Sequence, residues 1–192
     1  MYFMPYLLAL DAQLTTLLFN LVPRSPFLNA FFSFLSLSGG FAVWGIILII
    51  LLILFEEKSN HVFLFYFLLG CGSTYILVNN ILKNIFMRSR PVFADFNRFQ
   101  LISTNFCPKD FSFPSTHAAT AFAAATILSY FDKKRAGLYY FVALLISYSR
   151  IYLGCHYLFD VAFGGLVGCI ITKMILKVKL SYRKKIASAH KS

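Results

Sequence analysis

The chain has 192 residues, of which 59% are hydrophobic and 18% aromatic, and its formal net charge is +11. Because an ordinary soluble domain is only about 45–50% apolar, this composition excludes the soluble class and indicates an integral membrane protein. The positive charge does not indicate a nucleic-acid partner, because the basic residues are distributed by predicted membrane side rather than gathered on one face. We expect a single membrane domain over residues 1–192.

Apolar runs predict an all-α helical bundle with five to six transmembrane helices. The first segment, 3–22, is ambiguous because Pro5, Asp11 and Thr15 interrupt it, and it predicts either a short span or an amphipathic helix in the membrane interface. The later runs approach the roughly 20 residues that a helix needs to cross the hydrocarbon core. They cover residues 27–55, 61–82, 115–131, 136–154 and 157–178.

Charge predicts the orientation of these helices. Lys58, the basic turn at 133–135 and the basic tail at 180–192 fall on one side, which the positive-inside rule makes cytoplasmic. The tail is expected to lie on the inner leaflet or to be disordered. On the opposite side lies the long connection 91–114, whose phenylalanines alternate with polar residues. It is either a segment resting on the lipid headgroups or a simple cap over the bundle.

The cysteines show no metal-ligand spacing. Cys71 and Cys169 lie within predicted spans, whereas Cys107 and Cys155 lie in or beside outward loops. The outer pair forms either a disulfide, if that side is oxidising, or two free thiols. No metal and no cofactor is expected.

Three short segments at the ends of apolar runs carry the candidate chemistry. In Ser149-Arg150-x5-His156-x3-Asp160, the last two residues are four apart and share one helix face. A carboxylate that fixes the tautomer of an imidazole leaves its other nitrogen free to attack, so His156 is the candidate nucleophile and Asp160 its orienting group. Taken alone, such a spacing is also typical of a pair packed inside a bundle.

The second segment is Pro114-Ser115-Thr116-His117, where a loop enters an apolar run. Ser115 or Thr116 is a natural N-cap, and the free N–H groups of a helix start bind anions, so both residues are candidate phosphate ligands. His117 is the candidate general acid and base, which would protonate the leaving oxygen and later activate water. Its alternative role is that of a histidine at an interfacial helix start.

The third segment, Lys83-x6-Arg90-Pro91, and Arg150 supply the cations. Fixed ammonium and guanidinium groups stabilise the equatorial oxygens of a phosphoryl transition state. Lys83 and Arg90 are seven apart, so we expect both to point the same way from one helix that Pro91 ends. Arg88 is expected to contact headgroups or the surface.

Together, the three segments resemble the signature of the type 2 phosphatidic acid phosphatase family, K-x6-R-P, P-S-G-H and S-R-x5-H-x3-D. The resemblance covers residues 83–160 and implies a metal-independent membrane phosphatase of helical-bundle fold. It further implies His156 as nucleophile, Asp160 as its orienter, His117 as acid and base, and Lys83, Arg90, Ser115 and Arg150 as phosphate ligands. Vanadium haloperoxidases carry a similar site in largely soluble folds. Thr116 stands where the family has glycine, and we expect activity to survive this departure.

The implied partners are a membrane lipid phosphate substrate and the surrounding bilayer lipids. The short chain and outward-facing site resemble undecaprenyl diphosphate phosphatases of the bacterial cytoplasmic membrane, with the active site on the periplasmic or exterior side. Lipid A phosphatases and phosphatidylglycerophosphate or phosphatidic acid phosphatases carry nearly the same motifs. Two further interpretations are a lipid phosphotransferase and a non-catalytic phospholipid-binding membrane protein.

Overall fold

The computed structural model describes residues 3–36, 44–45, 61–91 and 107–189, and within these ranges all regular secondary structure is helical. The all-α prediction is therefore confirmed. The α-helices in chain order are α1 (Phe3–Leu21), α2 (Pro26–Leu35), α3 (His61–Ile76), α4 (Lys83–Phe86), α5 (Thr116–Phe131), α6 (Ala136–Tyr152) and α7 (Leu158–Ala189). A π-helical segment, Leu77–Leu82, joins α3 to α4, and a 3-10 turn, Lys133–Arg135, joins α5 to α6.

Two helical stretches among the described residues are long and apolar enough to cross a membrane, Val62–Phe86 and Leu158–Val178. They match the predicted runs 61–82 and 157–178. Helices α5 and α6 have 16 and 17 residues, which is short for a membrane span. Most of the predicted run 27–55 and most of the connection 91–114 lie outside the described residues, so the number of five to six spans remains a prediction.

Local sequence explains where the helices near the site begin and end. Ser25 caps α2 through its side chain, with Pro26 in the first turn, where its missing N–H costs nothing. Ser115 caps α5, as predicted for this segment. Helix α4 ends at Phe86 because Met87 adopts the left-handed conformation, with φ of 47°. The chain therefore leaves the helix before Arg88 and Arg90.

Helix α5 is the centre of the bundle and packs against α3, α6 and α7. Its alanines are fully buried, and glycines of α7 face it at van der Waals contact of the two backbones. A Cβ atom at Gly168 would lie 2.0 Å from the carbonyl oxygen of Ala119, and one at Gly164 would lie 2.5 Å from that of Ser115. Small residues thus let the start of α7 lie directly beside the start of α5.

The outer face of the bundle is apolar. Phe65 and Leu68 of α3, Phe141 of α6 and Leu166 of α7 are each more than half exposed. Exposed apolar side chains on several helices are typical of a surface that lipid covers. Helix α7 continues to Ala189 and so includes most of the basic tail.

Candidate active site

A cavity of about 500 Å³ lies among α3, the π-helical segment, the start of α5 and the turn before α7. Its lining includes residues of all three predicted motifs. The lining side chains are Tyr75, Asn79, Lys83, Arg90, Pro108, Asp110, Thr116, His117, Thr120 and His156. The cavity therefore brings together two histidines and two of the three predicted cations.

His156 lies in the turn before α7 and is 1% exposed. Its Nε2 atom is 3.1 Å from a guanidinium nitrogen of Arg90. Because a guanidinium can only donate, Nε2 is the acceptor and Nδ1 carries the ring proton of the neutral imidazole. Burial, followed by the charges of Arg90, Arg150 and Lys83, holds the pKa of His156 well below its usual value. The ring is thus neutral, with the lone pair of Nε2 on the cavity side.

Asp160, in the first turn of α7, lies behind the ring. Its Oδ2 is 3.5 Å from Nδ1 of His156, which is longer than an ordinary hydrogen bond. The same oxygen accepts hydrogen bonds from the Ser112 hydroxyl and from the Tyr157 backbone N–H at 2.9 Å. The Ser112 hydroxyl is also 3.4 Å from Nδ1. A carboxylate and a hydroxyl therefore both face the protonated nitrogen of His156.

Asp110 joins the two predicted phosphate-binding cations of the cavity. Its carboxylate forms an ion pair with Lys83 and lies 2.5 Å from a terminal guanidinium nitrogen of Arg90. Burial alone would raise the pKa of Asp110, but the hydrogen bonds and charges of Lys83 and Arg90 hold it below its usual value. An anion of the protein thus occupies the place where both cations could hold a phosphate oxygen.

The expectation that Lys83 and Arg90 extend from one helix is wrong. Lys83 begins α4, whereas Arg90 follows the left-handed Met87 in non-helical chain. Arg90 is held by the backbone carbonyls of Asp110, at 2.9 Å, and Cys155, at 2.7 Å. The two cations converge because loop residues fix Arg90, not because of helical spacing.

Ser36, which ends α2, connects two other predicted site residues. Its carbonyl oxygen accepts a hydrogen bond from Nε2 of His117 at 3.2 Å, and its hydroxyl accepts one from Arg150. His117 lines the cavity. Arg150 is fully buried and is absent from the lining, although its charge acts on His156. The structure therefore brings Arg150 near the cavity without exposing it there.

The start of α5 forms one wall of the cavity. Ser115 is fully buried, accepts a hydrogen bond from the Ala118 N–H, and donates its own backbone N–H to the carbonyl of Asp160 at 3.0 Å. Thr116 lines the cavity, and its hydroxyl oxygen, though buried, has no hydrogen-bond partner among the described residues. This end of α5 presents a hydroxyl and a positive dipole end toward the cavity.

Arg88 was expected at the headgroups or the surface, and this expectation is wrong. Its side chain is only 17% exposed and lies 2.7 Å from an oxygen of Asp160. It also stacks over the ring of Tyr157 at 4.0 Å. The buried carboxylates of Asp160 and Asp11 both attract the guanidinium inward, because a buried anion without a partner would be costly.

A disulfide joins Cys107 to Cys155. Of the two predicted alternatives for these cysteines, the structure contains the disulfide. It ties the segment that carries Asp110 and Ser112 to the turn that carries His156. The spans' own cysteines, Cys71 and Cys169, are free thiols.

The sequence patterns missed Ser36, Asp110 and Ser112, which contact the predicted site residues, and Asp11, which reaches Asp160 through Arg88. Asp110 and Ser112 lie shortly before the Pro-Ser-Thr-His segment, in a loop that no periodicity describes. Asp11 left a signal, since it and Thr15 are polar, four apart, and interrupt an apolar segment. That signal indicates a buried polar contact of α1.

A neutral buried histidine backed by a carboxylate, with cations and a second histidine around one cavity, defines a site for phosphoryl transfer in a helical membrane protein. The sequence profile of the PAP2 superfamily, that of the type 2 phosphatidic acid phosphatases, matches residues 63–183. The chain belongs to the PAP2 superfamily, whose phosphatases hydrolyse phosphate esters and diphosphates.

Relatives and solved structures agree with this membership. The chain is 31% identical over 154 residues to undecaprenyl-diphosphatase of Sulfolobus acidocaldarius, covering 79% of this chain and 71% of that one. It is 34% identical to the bacitracin transport permease protein BcrC of Bacillus licheniformis, over 42% of this chain and only 41% of that one.

Among crystal structures, that of Aquifex aeolicus LpxE matches with a TM-score of 0.62 and 31% identity, covering 86% of this chain and 93% of that one. That of a transmembrane PAP2 type phosphatidylglycerolphosphate phosphatase from Bacillus subtilis matches with a TM-score of 0.66 and 25% identity, covering 92% and 87%. With its apolar helices, this chain is a membrane protein of the same fold.

Proposed function

We propose that the protein is a metal-independent membrane lipid phosphatase that acts through a phosphohistidine at His156, with undecaprenyl diphosphate as its leading substrate. The observation that carries the proposal is the state of His156. The ring is neutral, its Nε2 is an acceptor 3.1 Å from Arg90, and its Nδ1 faces Asp160 and Ser112. A nucleophile with its lone pair toward a cationic cavity is what attack on phosphorus requires.

In the proposed first step, Nε2 of His156 attacks the phosphorus atom, and a bond forms between nitrogen and phosphorus while the bond to the leaving oxygen breaks. His117 donates a proton to that oxygen. Lys83 and Arg90 stabilise the charge on the equatorial oxygens, and Arg150, buried beside the cavity, adds its positive charge. Ser115 and Thr116 contribute the start of α5. In the second step, water attacks the phosphohistidine, its proton passes to His117, and phosphate leaves with Nε2 regenerated.

We propose the substrate from the names of the related proteins. A relative named undecaprenyl-diphosphatase matches over most of both chains. Another relative, phosphatidylglycerophosphatase B of Bacillus subtilis, is 31% identical over 106 residues and keeps a phosphatidylglycerophosphate substrate as the alternative. Lipid A remains a third candidate from the motifs. We infer a cytoplasmic-membrane location with five to six spans and with the site facing outward. The Cys107–Cys155 disulfide beside His156 supports the outward-facing site, because disulfides persist in oxidising compartments.

The test is phosphate release by the detergent-purified protein in excess EDTA, from undecaprenyl diphosphate, phosphatidylglycerophosphate, phosphatidic acid and lipid A. We expect release from undecaprenyl diphosphate to be fastest and His156→Ala to be inactive. Strict dependence on an added metal would contradict the mechanism. Transfer of labelled phosphate to another lipid would instead favour a phosphotransferase, and lipid binding without release would favour a binding protein.

A further inference from the structure

Helix α1 carries two polar side chains into the core of the bundle. Asp11 and Thr15 are both fully buried, one helical turn apart. A buried carboxylate costs free energy unless charged or hydrogen-bonding groups surround it. The contacts of these two side chains therefore indicate what α1 does for the rest of the molecule.

Both side chains bind the start of α7. Oδ1 of Asp11 accepts a hydrogen bond from the Phe159 N–H at 2.9 Å, and the Thr15 hydroxyl accepts one from the Leu158 N–H at 2.9 Å. The first N–H groups of a helix have no partner within the helix. Helix α1 is distant in sequence from α7 but thus caps it. The first residue of α7, Leu158, lies two residues after His156.

Asp11 also reaches the site through Arg88. One terminal nitrogen of the guanidinium lies 2.7 Å from Oδ2 of Asp11, and the other lies 2.7 Å from Oδ1 of Asp160. Both carboxylates are fully buried. A single guanidinium therefore bridges α1 and the carboxylate that faces Nδ1 of His156.

We propose that Asp11 is a positioning residue, which holds Arg88 and the start of α7 so that Asp160 stays aimed at His156. The proposal rests on the proposed function of His156 as nucleophile. Because Arg88 is shared between two carboxylates, it neutralises only part of the negative charge of Asp160. The remaining charge attracts the Nδ1–H of His156. Without the charge of Asp11, Arg88 pairs with Asp160 alone, and Asp160 stabilises the developing positive charge of the attacking ring less well.

The proposal predicts a particular kinetic signature. Asp11 is absent from the cavity lining, and its contacts to Arg88 and Phe159 leave Lys83 and Arg90 untouched. Loss of the Asp11 charge should therefore slow the chemical step and leave phosphate binding as it is. In kinetic terms, kcat falls while KM and inhibition by inorganic phosphate stay constant.

The test compares Asp11→Asn with the parent, using undecaprenyl diphosphate as substrate and inorganic phosphate as the binding probe. Asparagine keeps an oxygen for the Phe159 N–H but removes the negative charge that faces Arg88. We expect kcat to fall about tenfold or more, with KM and the inhibition constant of inorganic phosphate within about twofold. Thr16→Val is the matched control, because Thr16 lies next to Thr15 but is exposed, and its hydroxyl donates to the Ala12 carbonyl within α1. It should behave as the parent.

An unchanged kcat in Asp11→Asn would overturn the proposal. A parallel loss of kcat, inorganic phosphate affinity and thermal stability would also overturn it, because it would indicate a purely structural role. If Asp11→Asn does not fold, Arg88→Lys keeps the positive charge but replaces the two-nitrogen bridge by a single ammonium, and it should give the same split. Retained activity of His156→Ala would mean that the proposed function itself has failed. An inactive His156→Ala with a normal Asp11→Asn would mean that only the positioning role has failed.

Discussion

Replacing Asp110 by asparagine should make the site bind phosphate-like anions more tightly. In the parent, the Asp110 carboxylate is paired with both Lys83 and Arg90, so an incoming phosphate must displace or share these contacts. Asparagine is nearly the same size and removes the negative charge. The backbone carbonyl of residue 110, which accepts a hydrogen bond from Nε of Arg90 at 2.9 Å, remains in place.

The size of the effect follows from the exposure of the pairs. The Asp110 side chain is 38% exposed, against 4% for Lys83 and 14% for Arg90, so solvent screens each ion pair from the carboxylate side and we use the range of exposed pairs. Such pairs contribute roughly 0.2–1 kcal/mol each, and two of them contribute roughly 0.4–2 kcal/mol. At about 1.4 kcal/mol per tenfold, the inhibition constant of orthovanadate should fall by about 2-fold to 30-fold.

The assay is inhibition of phosphate release by orthovanadate and by inorganic phosphate in the parent and in Asp110→Asn. Asp132→Asn is the matched control, because Asp132 also pairs with an arginine, Arg135 at 2.6 Å, but lies at the other end of α5. It should leave both inhibition constants unchanged. Weaker inhibition of Asp110→Asn would refute the reasoning, since it would mean that Asp110 holds the cations in place rather than competing with phosphate.

Three further predictions concern packing, redox state and pH. Gly168→Ala should abolish folding or activity, because its Cβ would lie 2.0 Å from a backbone oxygen. Gly72→Ala should do neither, because its Cβ would meet nothing within 4 Å. Equal rates of phosphate release by the two variants would contradict the packing. Cys107→Ser should lower the kcat measured in non-reducing buffer about several-fold, because it releases the His156 turn from the preceding loop. An unchanged kcat would show that the disulfide is dispensable. Because burial and three cations lower the pKa of His156, its reactive neutral form persists as pH falls through 6.5 and is lost only below the lowered pKa. The acid limb of kcat/KM should therefore lie below pH 6.5, and a midpoint at or above that pH would contradict the assignment.

Much of the fold and of the candidate site follows from local sequence. The apolar runs predicted helices, and Pro-Ser-Thr-His predicted a capped helix start, which Ser115 forms. The spacing of His156 and Asp160 brought the two within 3.5 Å, although His156 precedes α7 rather than lying on it. These features depend on residues close together in the chain.

The remaining contacts join residues far apart in sequence. Asp11 binds Phe159, and Ser36 binds Arg150, through hydrogen bonds that only the folded bundle creates. Helical spacing misled the interpretation of Arg90, because Met87 ends α4 in the left-handed conformation and the chain beyond it brings Arg90 to the carbonyls of Asp110 and Cys155. A pattern that assumes one continuous helix cannot anticipate such a turn.

The central claim is that His156 carries the phosphoryl group during turnover. It is tested most directly by mixing the purified protein with substrate labelled in its terminal phosphate, quenching in denaturant at alkaline pH, and locating the label by peptide mass spectrometry. The account predicts a phosphoryl group on His156 that forms within the first turnover and is absent from His156→Ala. Label on His117, or turnover with no labelled protein at any time, would contradict it.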